Sequence, residues 1–195
     1  IYASSMGVYC DRLGKAAIEE SKINPKSFYG VNKRCSEEFI EIFSEKGLNF
    51  TIFRLFNVYG PGQNMENLNQ GMVSIYLEYI LRNEPILVKG PLNRIRDYVY
   101  IEDVIDVLLL GLTTKADGKT YNVCTGEKHS VEQLIQELLK ATNKPYNYPV
   151  NILPRTPRDI DDIWGNYKKL KHDFNWSHKY DLKKGISKFI SSINL

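Results

Sequence analysis

A chain of 195 residues, 43% hydrophobic and 25% charged, is long enough for one core, or one core and a small lobe, and has ordinary globular composition. Its net charge of +3, with Lys and Arg scattered among Asp and Glu, gives no argument for a nucleic-acid partner. No apolar run reaches membrane-helix length and no signal-peptide pattern is seen; Cys10, Cys35 and Cys124 lack CxxC spacing and an accompanying His cluster, so they read as reduced thiols of a cytoplasmic protein, forming neither a disulfide framework nor a metal site.

The chain opens on IYASSMGVY. Residues 1–4 are apolar and β-prone and break at SSMG, as at the end of a buried parallel strand. The opening reads like the middle of a strand. Residues 11–27 are polar, contain Pro25 and predict a loop. From Tyr29 to Lys46 the recurrence of Val31, Cys35, Phe39, Ile42 and Phe43 predicts a helix, with Gly47 as its stop. FTIFRLF (50–56) predicts a strand, and NVYGPGQN supplies Gly and Pro punctuation after it. A second helix is expected over 70–83, a short strand over 85–90, then an extended piece at RDYVY and a helix from about Ile101. KTYNVCTG reads as a strand and turn, and Ser130 with Gln133 forms a capping-box pattern for the next helix. A Pro-rich loop runs through Pro157, and two last helices are expected near 166–174 and 181–193. Alternating strands and helices give an α/β chain with a largely parallel sheet and a C-terminal lobe of mixed short elements. Reactive groups in such sheets sit beyond the carboxyl ends of the strands, where SSMG and NVYG fall.

Tyr29 and Lys33 are four apart and share one helix face. A free phenol, with a pKa of about 10, is a poor base at neutral pH, and a neighbouring ammonium favours its ionised form. A tyrosine so placed can take a proton from a sugar or alcohol hydroxyl, and a strand-end hydroxyl such as Ser5 can hold the same oxygen. By itself the Y-x-x-x-K spacing is common, and a core Tyr beside a surface Lys would also produce it.

ASSMGVY, SFYGVNK, RLFNVYGPGQ, RIRDYVYIEDV and YNVCTGEKHSV follow one another at spacings that resemble the extended short-chain dehydrogenase/reductase family, and within it the nucleotide-sugar epimerases of the UDP-glucose 4-epimerase type. The resemblance covers nearly the whole chain. It implies a partial Rossmann-like parallel sheet, made of the later strands, in residues 1–60 with returning elements near 95–125. It implies a small mixed α/β nucleotide-sugar lobe in 61–94 and 126–195. Tyr29 then matches the catalytic base, Lys33 the lysine that holds the nicotinamide ribose of NAD, and Ser5 the catalytic hydroxyl. Asn57 and Arg96 match contacts to the substrate diphosphate. Arg155 and Asp159 resemble an R-x-G-D segment near the nucleoside ribose, with Arg158 where the family has glycine. Met6 and Gly7 stand where sugar dehydratases carry an acidic pair, which favours epimerisation or reduction over dehydration.

The same resemblance implies a UDP-hexose substrate and a homodimer, with Phe39, Ile42 and Phe43 serving either that interface or the core. Ile163 falls near a pocket position that governs tolerance of N-acetylated sugars. The glycine-rich G-x-x-G-x-x-G turn of the cofactor fold is not found in these residues. The chain is therefore expected to be the C-terminal part of an NAD-dependent epimerase, and to be inactive alone. The competing readings are an NAD(P)-dependent reductase of a 4-keto nucleotide sugar and a non-catalytic nucleotide-sugar binding module.

Overall fold

The computed structural model describes residues 1–11, 13–67 and 71–193. Position 12 of the expected loop, and position 70 at the start of the expected second helix, lie outside the described residues. In chain order the main elements are β1 (Tyr2–Ser5), a 3₁₀ turn (Met6–Val8), α1 (Phe28–Ser44), β2 (Thr51–Leu55), β3 (Asn57–Tyr59), α2 (Met72–Leu81) and β4 (Ile86–Lys89). Then come β5 (Ile95–Arg96), β6 (Tyr98–Tyr100), α3 (Ile101–Leu110), β7 (Lys119–Val123), β8 (His129–Ser130), α4 (Val131–Ala141), β9 (Val150–Leu153), α5 (Lys168–Phe174) and α6 (Leu182–Ser192).

The central sheet is parallel, in the order β1-β2-β7, with Ser5 beside Leu55 and Leu55 beside Val123. All three strands therefore end at one level, where the polar motifs begin. Two apolar cores form. One packs Phe53, Phe56, Val99, Val104, Val107 and Tyr121 against the central sheet; the other joins Leu77, Ile80, Ile86, Leu134, Leu138 and Phe189 from α2, β4, α4 and α6. The second core rests on good local signals: Ser130 Oγ accepts from Gln133 N at 3.0 Å while Gln133 Oε1 accepts from Ser130 N at 2.7 Å, closing the expected capping box.

Two expectations need correction, and one open choice is decided. NVY is not simple punctuation: it is β3, paired in parallel with β6. The Pro-rich loop contains β9, paired in parallel with β4 through Ile86 and Val150. A run of three or four residues without clear alternation is too short to show a period, and only the partner strand fixes it. The open choice concerns α1. The helix forms over the expected residues, but its apolar stripe faces outward: Phe28 is 91% exposed, and Val31, Phe39, Ile42 and Phe43 are all more than half exposed. Its buried positions are Gly30 and Glu37. Phe39, Ile42 and Phe43 are therefore not core residues. Ile163 is 2% exposed and belongs to the core around the central sheet.

Candidate active site

Ser5 ends β1, and its Oγ accepts from Gly7 N at 3.1 Å, capping the 3₁₀ turn. Ser27 caps α1 in the same manner, accepting from Gly30 N at 3.0 Å. These two turns touch through glycine. A Cβ on Gly30 would lie 2.2 Å from the Gly7 carbonyl oxygen, so only glycine lets the helix start come this close. A Cβ on Gly7 would lie 3.4 Å from Ser5 Oγ and 3.8 Å from Tyr29 Cδ1. Ser5 and Tyr29 thus flank one glycine surface, with Tyr29 58% exposed to solvent.

Lys33, one helical turn on, donates from Nζ to the Ala3 carbonyl at 2.8 Å, and the same ammonium lies 5.6 Å from the Tyr29 ring centroid. The expected trio of Ser5, Tyr29 and Lys33 is therefore gathered at the end of β1. Asn57 joins it from the neighbouring strand. Its Nδ2 donates to the Asp97 carbonyl at 2.9 Å and approaches Met6 Sδ at 3.8 Å.

Arg96, Arg155 and Asp159 form a second group. The Arg96 guanidinium, 3% exposed, donates to the carbonyls of Ile95, Asp161 and Ile160 and faces Asp159 Oδ1 at 3.4 Å. Burial lowers its pKa from the usual arginine value, against the pull of Asp159. Arg155 donates to the Asp159 carbonyl and pairs with Asp161 Oδ1 at 2.6 Å. Arg158 has φ +62°, so the backbone keeps the left-handed turn that glycine serves best, although an arginine stands there. Asp11, Lys26, Arg155, Thr156, Pro157, Arg158 and Asp159 line a cleft of about 440 Å³. The two groups are linked through the chain from Arg96 to Asp97, whose carbonyl takes the Asn57 amide.

Several residues that support this arrangement were not foreseen. Arg94, 5% exposed, also pairs with the Asp159 carboxylate. Asp97 is fully buried and accepts from Thr125 N, Thr125 Oγ1, Gly126 N and Gly165 N at 2.7–3.1 Å. Burial pushes its carboxyl up, while those four donors favour the charged form. Beneath the trio, Glu37 is fully buried, accepting from Ser4 Oγ at 2.5 Å and from Arg54 Nε and Nη2 at 2.9 and 2.8 Å. Arg54 continues to the Tyr9 hydroxyl at 3.1 Å, which donates to Asn122 Oδ1 at 2.6 Å. A sequence signal existed for that pair. Glu37 falls four residues after Lys33 on the same helix face, and Arg54 interrupts an otherwise apolar strand.

Hydroxyl, phenol and ammonium groups at a strand end suit a hydroxyl-bearing substrate and a ribose. Residues 1–124 match the NAD dependent epimerase/dehydratase family. A curated putative UDP-glucose 4-epimerase of Methanocaldococcus jannaschii is 30% identical over 193 residues, which are 98% of this chain and 61% of the relative. A dTDP-4-dehydro-6-deoxyglucose reductase of Escherichia coli is 26% identical over 199 residues, which are 99% of this chain and 60% of that protein. The crystal structure of UDP-glucose 4-epimerase from Thermotoga maritima with UDP-glucose superposes with a TM-score of 0.90 at 31% identity, covering 97% of this chain and 61% of that one. The chain thus spans about three fifths of the length of these relatives.

Proposed function

Because the chain belongs to the NAD dependent epimerase/dehydratase family, we propose that it carries the catalytic and nucleotide-sugar-binding part of an NAD-dependent 4-epimerase of a UDP-hexose. The observation that supports this best is the Gly7–Gly30 contact, which sets the Tyr29 ring beside Ser5 above the Lys33 ammonium. NAD, when bound, supplies a hydride acceptor and donor. Lys33 and Tyr29 suit it, offering an ammonium and a phenol on one face for a ribose. Tyr29 takes the proton of the sugar 4-hydroxyl as that carbon is oxidised, and returns it to the opposite epimer after the 4-keto sugar has turned. Ser5 Oγ holds the sugar oxygen on which charge develops, a preorganised stabilisation of the kind that dominates such sites. Asn57, Arg96, Arg155 and Asp159 take the diphosphate and nucleoside, Arg155 and Asp159 from a substrate lobe made of residues 61–94 and 126–195 and Asn57 and Arg96 from the edge of the cofactor-binding part. Met6 and Gly7 stand after Ser5 where a dehydratase carries an acidic pair, which favours epimerisation over loss of a hydroxyl.

These 195 residues contain no glycine-rich phosphate turn, so the chain assayed alone is expected to show no turnover. The test is interconversion of UDP-glucose and UDP-galactose with NAD, with a glycine-rich NAD-binding segment supplied in cis or in trans. Turnover that disappears in Tyr29→Phe supports the proposal; turnover unchanged in Tyr29→Phe refutes it. A second reading, a reductase of a 4-keto nucleotide sugar, draws on the similarity to the E. coli reductase. Epimer formation with NAD and no external reductant rules it out. The outward stripe of Phe28, Val31, Phe39 and Ile42 on α1 is offered as the face that meets a second copy in a homodimer.

A further inference from the structure

Lysine is a point charge on a flexible four-carbon stem, so an ammonium that must stay aimed needs partners on more than one side. Among the described residues, the partners of Lys33 are one carbonyl and two aromatic rings. Nζ donates to the Ala3 carbonyl at 2.8 Å and lies 5.6 Å from the Tyr29 ring centroid. It lies closer still, at 5.0 Å, to the centroid of the Tyr2 ring. The place of Tyr2 follows from the strand. Tyr2 and Ser4 alternate to one face of β1, and Ser4 Oγ donates to Glu37, so that face lies under α1. Lys33 is one helical turn before Glu37, which brings it to the Tyr2 ring as Glu37 is brought to Ser4. Tyr2 is half-buried, and its backbone is fixed in register with Ile52 of β2. The face of such a ring attracts a cation within about 6 Å, the more so where water is partly excluded.

We propose that Tyr2 is a positioning residue for Lys33, a ring that fixes the ammonium against the Ala3 carbonyl and at a set distance from the Tyr29 ring. An ammonium has three N–H donors. One goes to Ala3, and the Tyr2 ring holds the group from a second side, which fixes the direction of the other donors. What Lys33 then serves, a cofactor ribose beside the Tyr29 phenol, rests on the nucleotide-sugar reading above. The contact itself does not depend on that reading. Tyr2 touches neither substrate nor cofactor in this account and acts only through Lys33.

The experiment is competitive lysine acylation of the full 195-residue chain, read by mass spectrometry, for wild type, Tyr2→Phe and Tyr2→Leu. Lys183, exposed on α6, serves as the internal reference. Tyr2→Leu is expected to raise the reactivity of Lys33 on the order of threefold to tenfold with Lys183 unchanged, whereas Tyr2→Phe keeps the ring and matches wild type. Equal Lys33 reactivity in wild type and Tyr2→Leu, or the same rise in Tyr2→Phe, overturns the proposal. If Tyr2→Leu unfolds and every lysine reacts faster, wild type decides. Nuclear Overhauser contacts between the Tyr2 ring and the Lys33 ε-methylene are expected, and their absence overturns the proposal. With the glycine-rich segment supplied in cis, Tyr2→Leu is expected to lower kcat by a similar factor with KM for UDP-glucose unchanged, and Tyr2→Phe to retain the wild-type rate. A loss in KM alone overturns the positioning role. Absence of epimerisation by wild type refutes the nucleotide-sugar reading, while the acylation result still decides the contact.

Discussion

The Glu37–Arg54 pair gives the sharpest test of how the site is held. Glu37 is fully buried and Arg54 has 5% of its side chain exposed, joined by two charge-assisted hydrogen bonds at 2.9 and 2.8 Å. Removing one partner leaves an uncompensated buried charge, at a cost of about 3–5 kcal/mol, whereas replacing both with apolar groups of similar volume is close to neutral or stabilising. Glu37→Gln is therefore expected to lower Tm by roughly 6–20 °C, taking about 2–4 °C per kcal/mol for a chain of this size. The double variant Glu37→Leu with Arg54→Met should recover most of that loss. The pH response has a definite sign. Burial raises the Glu37 carboxyl, but hydrogen bonds from Arg54, Ser4 and Arg34 outweigh it and hold the group below its usual pKa. A depressed carboxyl contributes stability that is complete above its unfolded pKa, about 4.3, and is lost as pH falls through the folded value. Wild type should thus lose stability below about pH 4.5 more steeply than the double variant. Thermal unfolding by circular dichroism from pH 3 to 7 measures both effects. A double variant no more stable than Glu37→Gln, or one with the same acid slope as wild type, refutes the reasoning.

Gly30→Ala should destabilise the chain by about 1–3 kcal/mol, because its Cβ meets the Gly7 carbonyl oxygen at 2.2 Å, although the same change in a free helix gains about 1 kcal/mol; a rise in Tm in thermal unfolding would show that the contact is not as tight as described. Arg158→Gly, relieving φ +62°, should leave stability equal or raise it by up to about 1 kcal/mol, and a clear loss in urea unfolding would contradict the strain. Thiol titration with a chromogenic disulfide should separate the cysteines. Cys35 is exposed and reacts first, Cys10 follows, and Cys124, buried and with its thiol pushed well up by burial, reacts only on unfolding.

What the sequence revealed depends on how local each signal was. Ser5, Tyr29 and Lys33 were legible because a strand end, a helix start and one helical turn bring them together without long-range detail. The capping box at Ser130 was legible for the same reason. The β3 and β9 strands were not, since each is defined by its pairing with β6 or β4 rather than by its own residues. Arg94 was missed because an arginine near a strand end reads as exposed until the chain returns, some 65 residues later, with Asp159.

The reversal of α1 is the most instructive difference. Hydrophobic periodicity reports that a helix has two unlike faces, and burial of the apolar one is normally the cheaper choice. Here the sheet beneath offers Ser4 and Arg54, which an apolar face would leave unsatisfied. The polar face therefore turns inward, and Glu37 satisfies both groups. That choice fixes the rotation of the helix, and with it the direction of Lys33 and Tyr29, which lie four and eight residues before Glu37 on the same face. The outward apolar stripe is its unavoidable complement. One buried ion pair thus orients the candidate catalytic groups and creates the surface on which a second chain is proposed to dock, so damage to Glu37 should disturb both together.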